Sequence, residues 1–506
     1  MVSPHLPRLA TWFRLPGVFT TGGAVATPIR IVRFFSGAGW RKYLSTYFTL
    51  IMEVTMNKPT SLESLAIIHP NAAGIDIGSR EIWVAVRPDH QGQTVRRFAT
   101  FTPDLHRLAA WLIECGVDTV AMESTGVYWI PLFEILEARR IKVYLVNARH
   151  VKHVPGRKSD IQDCQWLQKL HSLGLLSPSF RPDAEMCALR TLLRHRAQLI
   201  QHRAPHILHM QKALQQMNLQ LHHVLSDITG VTGQQILRAI VAGERDPKVL
   251  AACRQPGCKA DEATIIKALT GNWADEQLFV LKQSLDLFDF YTTQLAACDA
   301  QVECRFAAVK PRWEAPAPLP AFPPAKANSK SKNKPPASTR QALFRITGVD
   351  LVAVDGLSAS LAQTILTEIG TDMSRFPTVK HFASWLGLAP HNDISGGKVL
   401  RSRTLKTDNR AGQAFRQAAA SVSRSNSAFG AFYRRKRASL GPAQAQVATA
   451  HRLARTVYTM LKHKVAYHDL GAEGYEAQQQ QRELATLKRR AAKLGFDLTA
   501  KEVALA

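Results

Sequence analysis

The sequence lacks an uninterrupted apolar run of about 20 residues, the length that a membrane-spanning helix needs. Its 7 cysteines are an odd number and include no C-x-x-C pair. This argues against the disulfide framework of a small secreted protein and against the common zinc ribbons. We therefore predict a soluble, cytoplasmic protein with reduced thiols.

Acidic residues are also scarce. The chain has 39 Asp and Glu against 65 Lys and Arg, which gives a formal net charge of +26 and an isoelectric point near 10.1. Solubility alone does not require one sign of charge in such excess. The imbalance favours a partner with a phosphate backbone, so we predict nucleic-acid binding.

A chain of 506 residues is long enough for two or three domains, each with its own core. Changes in composition along the chain predict six segments. They are a basic N-terminal extension without an assigned function (1–55), an α/β domain (70–175), a helical arm (176–309), a Pro/Ala/Lys-rich linker (310–340), a mainly α-helical C-terminal domain (341–475) and a helical tail (476–506).

The α/β domain begins with three predicted strands in succession and continues with alternating helices and strands. The strands are predicted at 74–78, 81–87, 95–101, 119–122 and 142–146, and the helices at 103–114, 128–139 and 159–173. This order is that of an RNase H-like fold.

Four acidic residues lie where such a fold would bring them together. Asp76 interrupts an apolar strand, Glu123 follows the strand 119–122, and Asp160 and Asp163 have the D-x-x-D spacing that puts both on one helix face. Each alone is more often a surface or capping residue. Together they would repel one another unless cations neutralised them, and their hard oxygen ligands suit Mg²⁺, or Mn²⁺ in its place.

The remaining chain is predicted to be helical. Residues 183–225 and 233–299 have helical spacing, with the arginines Arg190, Arg194, Arg196 and Arg203 close together; a nucleic-acid clamp and a solvated helix face are equally compatible with them. Residues 346–370 have turn glycines before a helical run, which is typical of a helix-hairpin-helix that offers backbone amides to phosphate. Further helices are predicted at 378–386, 410–424, 443–464 and 478–494, with the basic run 434–437 between two of them.

Four sequence motifs make the assignment more specific. GIDIGS, MESTGVYW, VNARHVKHVPGRKSDIQD and FASWLGLAPHNDISGGK resemble the DEDD transposases of bacterial insertion sequences, a family of recombinases guided by a bridge RNA. The resemblance implies that Asp76, Glu123, Asp160 and Asp163 are the metal-binding catalytic tetrad of a RuvC-like domain. It also implies action on double-stranded DNA by a homo-oligomer, a tetramer in which the serine of one protomer completes the metal site of its neighbour.

The same resemblance makes the C-terminal domain the transposase domain, with Ser395 of DISGG as its catalytic nucleophile. A serine that attacks phosphorus conserves the bond energy in a phosphoserine link, which can be rejoined without ATP. Without the resemblance, Ser395 is a turn residue beside two glycines, and Ser402 and Ser425 are competing candidates.

Basic residues near the tetrad are candidates for contacts with DNA or guide RNA, although charged surface is their ordinary interpretation. They are Arg149, Lys152, Arg157 and Lys158. We interpret the group as nucleic-acid-binding.

Three other functions compete with transposition. An RNase H-like junction endonuclease would use water as the nucleophile, and a degenerate transposase would bind nucleic acid without cutting it. An actin-like or sugar-kinase-type ATPase would use GIDIGS and DISGGK as phosphate loops, but it would leave the charge of +26 and the D-x-x-D helix unexplained.

Overall fold

The computed structural model describes residues 65–499, with the exception of 89–91, 125, 148–158, 312–318 and 320–332. The chain divides into two compact units, Met1–Ser179 and Phe180–Ala506. The predicted N-terminal extension and most of the predicted linker therefore lie outside the described residues. In the part that the structure describes, no helix combines the length and apolar character of a membrane crossing.

The first unit is a mixed α/β sheet with helices. Its elements are β1 (Ala72–Ile77), β2 (Glu81–Ala85), β3 (Val95–Ala99), α1 (Thr102–Glu114), β4 (Thr119–Glu123), α2 (Trp129–Ala138), β5 (Lys142–Val146) and α3 (Asp160–Ser172). The strand order is β3-β2-β1-β4-β5. β2 and β3 pair antiparallel, as do β1 and β2, whereas β4 lies parallel to both β1 and β5. The predicted sequence of strands and helices is confirmed.

Alternating burial explains how this sheet is covered. Ile82, Val84 and Val86 are buried together with Ile75 and Ile77 in a core that includes residues of α1 and α2. Side chains point alternately to the two faces of a strand, so Gly74 and Asp76 lie on the opposite face of β1. That face packs against α3.

The second unit is mainly helical. Its elements are α4 (Ala184–Gln216), α5 (Leu221–Val224), α6 (Val231–Val241), α7 (Pro247–Ala251), α8 (Glu262–Leu269), α9 (Asp275–Ala308), α10 (Ser338–Thr347), α11 (Ala359–Ile369), α12 (Val379–Trp385), β6 (Pro390–Ser395), β7 (Lys398–Thr404), α13 (Arg410–Val422), α14 (Ala428–Leu440), α15 (Pro442–His463) and α16 (Gly471–Lys493), with 3₁₀ turns at Leu351–Ala353 and Met373–Arg375. The prediction of a mainly helical C-terminal region is confirmed.

The helical arm differs in part from its prediction. α4 and α9 are long and pack against each other, but residues 233–299, predicted as part of long helices, fold into the four helices α6 to α9. Gly243, with φ of 108°, follows the end of α6, and Pro247 starts α7. These residues break the helical path because glycine accepts a left-handed backbone and proline cannot continue a helix from within. The short helices α5 to α8 enclose a core of their own with parts of α4 and α9.

The arginines of the arm are largely occupied by internal partners. Arg194 donates three hydrogen bonds to Glu368, at 2.7 to 3.1 Å, and the Arg196 side chain is bonded to Asp299. Arg203 donates to Asn333 at 2.6 Å and lies over the ring of Phe288. These contacts hold the helices together and argue against a nucleic-acid clamp formed by these side chains.

The predicted helix-hairpin-helix segment consists of α10, two turns and α11. Gly348 and Gly356 have φ of 77° and 81°, as tight turns require. However, the Gly348 amide donates to the Phe344 carbonyl, the Val352 amide donates to Asp350, and a Cβ on Gly356 would overlap α13 near Ala418. The turns are therefore packed into the unit, and these amides are not available to phosphate.

Two features of the C-terminal region were not predicted. β6 and β7 form an antiparallel hairpin where no strand was expected, because its polar residues do not alternate with apolar ones. The basic run 434–437, which lies between two of the predicted helices, is part of a helix of its own, α14. Ser427 caps this helix by accepting a hydrogen bond from the Gly430 amide at 3.2 Å.

Candidate functional site

Asp76 and Glu123 lie at the carboxyl ends of two neighbouring parallel strands. The register of β1 and β4 pairs Ile75 with Met122, and each acid is the next residue along its strand. Since neighbouring residues in register point to the same face, both carboxylates lie on the α3 side of the sheet. Both are partly buried.

Gly74 allows α3 to lie directly on β1. A Cβ at this position would lie 2.9 Å from the Cα of Gln168, and closer still to the Gln168 amide nitrogen and the Cys164 carbonyl oxygen. Only glycine leaves room for this approach of helix backbone to strand backbone. The contact places the first turn of α3 beside the end of β1 that carries Asp76.

Asp160 and Asp163 occupy that first helical turn. Ser159 is the N-cap and accepts a hydrogen bond from the Gln162 amide at 3.3 Å. The N-terminal end of a helix carries partial positive charge, so carboxylates are favoured there. The two aspartates therefore favour the start of this helix, and they also place two of the candidate site carboxylates in its first turn.

The electrostatics of Asp76 reflect the other three acids in its neighbourhood. Burial and, after it, the negative charges of Asp160, Asp163 and Glu123 together raise the pKa of the Asp76 carboxyl to about 6. The neighbouring Cys164 thiol has its pKa raised to about 12 by burial and by the charge of Asp76. It is therefore a neutral packing group, whose Sγ donates to the Ile161 carbonyl.

The side chains around Asp76 offer carboxylate oxygens, the hard ligands that divalent cations such as Mg²⁺ prefer. In the described residues, no three His, Cys, Asp or Glu side chains are gathered closely enough to enclose an ion. The carboxylates thus form an open cluster in which Asp76 bears an unfavourable sum of burial and like charge. A cation with a preference for hard oxygen ligands would relieve this repulsion.

Ser395 is placed at the tip of the exposed β6–β7 hairpin. It pairs with Lys398 across a two-residue turn in which Gly396 and Gly397 have φ of 55° and 76°. Positive φ at both positions is the requirement of the tight hairpin turn that matches strand twist, and glycine meets it without strain. Among the described residues, the Ser395 hydroxyl has no hydrogen-bond partner, so it is presented to solvent.

The two competing serines differ from Ser395. Ser425 donates to the Val422 carbonyl at 2.9 Å and is bonded to Ser427 at 2.7 Å, which is a structural role at the start of α14. Ser402 lies within β7, opposite Asn392. Only Ser395 stands at the hairpin tip.

The four basic residues predicted near the tetrad, Arg149, Lys152, Arg157 and Lys158, lie outside the described residues. Their role stays a prediction.

Comparison with known families agrees with this arrangement. Residues 73–219 match a transposase family model of the DEDD type, DEDD_Tnp_IS110, and residues 350–434 match the model of the transposase IS116/IS110/IS902 family. The first match contains the four carboxylates and the second contains Ser395. No curated protein matches the chain significantly.

Both matches are to transposases, so the chain is an enzyme of DNA transposition. It belongs to the DEDD transposase family of bacterial insertion sequences, as its motifs had indicated.

Sequence reasoning found the acids and the serine but missed the residues that position them. Gly74 is the first residue of the GIDIGS motif, yet its packing role is apparent only from the contact with α3. The turn glycines Gly396 and Gly397 were noted, and a G-G pair between short polar segments is a hairpin signal that would have predicted β6 and β7.

Proposed function

We propose that the protein cuts and rejoins DNA through a phosphoserine intermediate on Ser395, with a divalent metal held by Asp76, Glu123, Asp160 and Asp163. The observation that carries this proposal is the shared electrostatic environment of the four acids, expressed in the raised pKa of Asp76. An isolated structural carboxylate would have an Arg or Lys partner rather than three other acids.

The fold of the first unit supports the proposal. An RNase H-like, RuvC-like domain has a mixed sheet of the order seen here, β3-β2-β1-β4-β5, with acids at the carboxyl ends of its central parallel strands. The metal is Mg²⁺, with Mn²⁺ as a substitute. When bound, it would stabilise charge on the attacking and departing oxygens of a phosphodiester.

The covalent step is a transfer of a phosphoryl group to serine. Ser395 Oγ loses its proton to solvent and forms a bond to phosphorus, while the bond from phosphorus to one sugar oxygen breaks. That oxygen takes up a proton and leaves as a free hydroxyl. Attack of a hydroxyl from another strand on the phosphoserine reverses the process, so rejoining needs no ATP.

The choice of DNA sequence is delegated to a bridge RNA that pairs with the DNA, in a homo-oligomer that is a tetramer. The support for this part is the family of the chain together with its charge of +26, since RNA-guided enzymes leave sequence recognition to base pairing and bind nucleic-acid backbones by charge.

Trapping of the covalent intermediate tests the proposal. Purified protein is incubated with labelled element-end DNA, the RNA that copurifies with it, and Mg²⁺, and protein–DNA adducts are separated under denaturing conditions. We expect an adduct with wild-type protein and with Ser402→Ala, the matched control from the same hairpin. Ser395→Ala should form none, and Asp76→Asn or chelation of the metal should reduce its formation by at least about 100-fold.

Clean 5′-phosphate ends without an adduct would contradict the phosphoserine step and support a hydrolytic junction endonuclease. An adduct that persists in Ser395→Ala would show that another residue is the nucleophile.

A further inference from the structure

A basic groove lies in the second unit. It has a volume of about 1420 Å³ and runs between α15, α16, the start of α14 and the end of β7. The proposed chemistry does not use it. Its volume exceeds the roughly 300–1,000 Å³ of most small-molecule pockets, which indicates a longer ligand.

Arginines converge on this groove from three elements. Arg452 and Arg455 are three residues apart on α15, Arg482 lies on α16 and Arg403 on β7. Residues three or four apart share a helix face, so the two α15 side chains point to the same side. Among the described residues, none of these four arginines has an ion pair with a carboxylate.

The groove has a single carboxylate in its lining, Asp469, and this group is already engaged. It accepts hydrogen bonds from the Ala428 amide at 3.1 Å and from the Tyr467 hydroxyl at 3.2 Å. The groove is therefore lined by four guanidinium groups and by one carboxylate that already accepts hydrogen bonds from within the protein. The net positive potential suits a ligand that carries several negative charges.

Aromatic rings hold one of these arginines in place. The Arg452 guanidinium lies 4.8 Å from the centre of the Phe432 ring and 4.9 Å from that of Tyr475. Such cation–π contacts orient the planar group before a ligand arrives. Less side-chain entropy is then lost on binding, and the free edge of the guanidinium can donate to a phosphate.

Apolar side chains complete the wall. Leu440, Val465 and Leu470 line the groove and are 45%, 45% and 55% exposed. A duplex keeps its bases stacked inside and would place phosphates against these residues. An unpaired strand can turn its bases to the apolar wall and its phosphates to the arginines, as in grooves that bind single strands.

The position of Arg403 connects the groove to the hairpin. Arg403 is five residues beyond Lys398, the partner of Ser395, and this corresponds to about 17 Å along β7. A strand in the groove would thus run beside the base of the hairpin that carries Ser395.

We propose that this groove binds an unpaired stretch of nucleic acid. The inference rests on the proposed function in one respect. An enzyme that cuts and rejoins DNA strands encounters unpaired strands, either from opened DNA or from RNA.

Oligonucleotide binding by the full-length protein tests it. Fluorescence anisotropy compares one short sequence as single-stranded DNA, as single-stranded RNA and as duplex DNA, without any cleavage step. We expect Arg455→Ala/Arg482→Ala to weaken binding of the unpaired strands by roughly tenfold or more and to change duplex binding much less. The slope of log affinity against log salt should fall by about 1.4 for the loss of two phosphate contacts on a single strand.

The matched control is Arg437→Ala/Arg489→Ala, which removes two exposed arginines from α14 and α16 outside the groove lining. It should bind the unpaired strands within about twofold of wild type, and thermal melting should show that both variants are folded. The single-stranded ligand with the larger loss identifies DNA or RNA as the source of the strand; equal losses mean that the groove accepts both.

The proposal would be overturned if the groove variant bound unpaired strands with wild-type affinity. It would also be overturned if the groove variant lost as much affinity for the duplex as for the unpaired strands and the control variant showed the same loss. In either case the adduct on Ser395 would still form, so the proposed function would stand. Failure of the wild-type protein to bind any nucleic acid would overturn both.

Discussion

The Asp76 carboxylate lies in an unfavourable electrostatic environment. Its strand is apolar and three like charges lie nearby, and both conditions disfavour the ionised carboxylate. A fold without a use for this arrangement would be more stable with a neutral residue at this position. Under the proposed function, a cation bound by the carboxylates would compensate for both conditions.

His171 is a second buried titratable residue, at the other end of α3. Thr119 donates its hydroxyl proton to the Lys142 carbonyl at 3.0 Å, so at its 2.9 Å contact with His171 it accepts from the Nε2 hydrogen. The ring also packs against Tyr144 and His69, with centroid distances of 4.6 and 4.9 Å. Burial, with the neighbouring His69 and Lys142, lowers the pKa of His171 to about 4.

We predict that this histidine makes the protein sensitive to acid. Between pH 6.5 and pH 4 the unfolded state takes up a proton on His171 that the folded state does not, so the free energy of unfolding falls as pH decreases through this window. The expected contribution is about 3 kcal/mol, since the pKa falls from 6.5 to about 4 and each unit of difference corresponds to about 1.36 kcal/mol. Denaturant unfolding measured across pH should show a flatter dependence for His171→Gln than for wild type.

His195→Gln is the control, because His195 is exposed. It should keep the wild-type dependence on pH. If His171→Gln lost stability on acidification as steeply as wild type, another group would control acid unfolding.

At the scale of elements, the contact of α3 with β1 determines the site. The helix carries two of the acids and the strand carries a third, so their separation depends on how closely the two backbones approach. Gly74 sets that distance because no side chain stands between them. Gln168 adds a buried hydrogen bond from its side-chain amide to the Ala72 carbonyl, at 3.3 Å.

Gly74→Ala should therefore move α3 away from the sheet. We expect a loss of about 3 kcal/mol in unfolding free energy, since backbone atoms rather than a flexible side chain obstruct the new methyl group. Denaturant unfolding measures the loss. The adduct assay on Ser395 should lose activity in parallel, because the acids would no longer be held together.

Gly257→Ala is the matched control for this substitution, since nothing lies within 4 Å of a Cβ at that position. It should be close to neutral. Wild-type stability of Gly74→Ala would show that the helix and strand have more room than the structure gives them.

The β6–β7 hairpin illustrates an element that local sequence and not core packing specifies. Every residue of β6 is exposed, and a two-stranded hairpin by itself is only marginally stable in water. The turn glycines fix the register that pairs Ser395 with Lys398. The position of Ser395 therefore depends on the local turn geometry and not on burial in a core.

Across the molecule, the arginines fall into two classes that differ in whether an acidic side chain pairs with them. Arg194, Arg196 and Arg340 are committed to Glu368, Asp299 and Asp350 within the second unit. Other arginines, such as those of the groove, have no acidic partner among the described residues. Only the second class is free to neutralise phosphates.

Binding of duplex DNA should accordingly weaken steeply with salt. If 6 to 10 phosphates are neutralised, affinity should fall by about 10³ to 10⁵ between 50 and 200 mM salt, because counterions released from DNA drive binding. Filter binding over a salt series measures the slope. Arg194→Ala, which removes an internally paired arginine, should leave the slope unchanged.

A slope near zero would contradict an electrostatic mode of binding. A reduced slope in Arg194→Ala would show that the pair with Glu368 opens to contact DNA.

The sequence by itself determined the order of strands and helices in the first unit, the four acids and the candidate serine. These follow from periodicity and from motif spacing, which are local properties of the chain. The division of residues 233–299 into several helices also has a local origin, since Gly243 and Pro247 interrupt the helical path.

Only the tertiary structure decided which charges are free and how the acids meet. Arg194 and Arg452 look alike in the sequence, yet one is paired with Glu368 and the other faces a groove between aromatic rings. The physical reason is that ion pairing, backbone approach and burial depend on residues far apart in the chain. Spacing along the sequence predicts a helix face, but what packs against that face is settled by the fold.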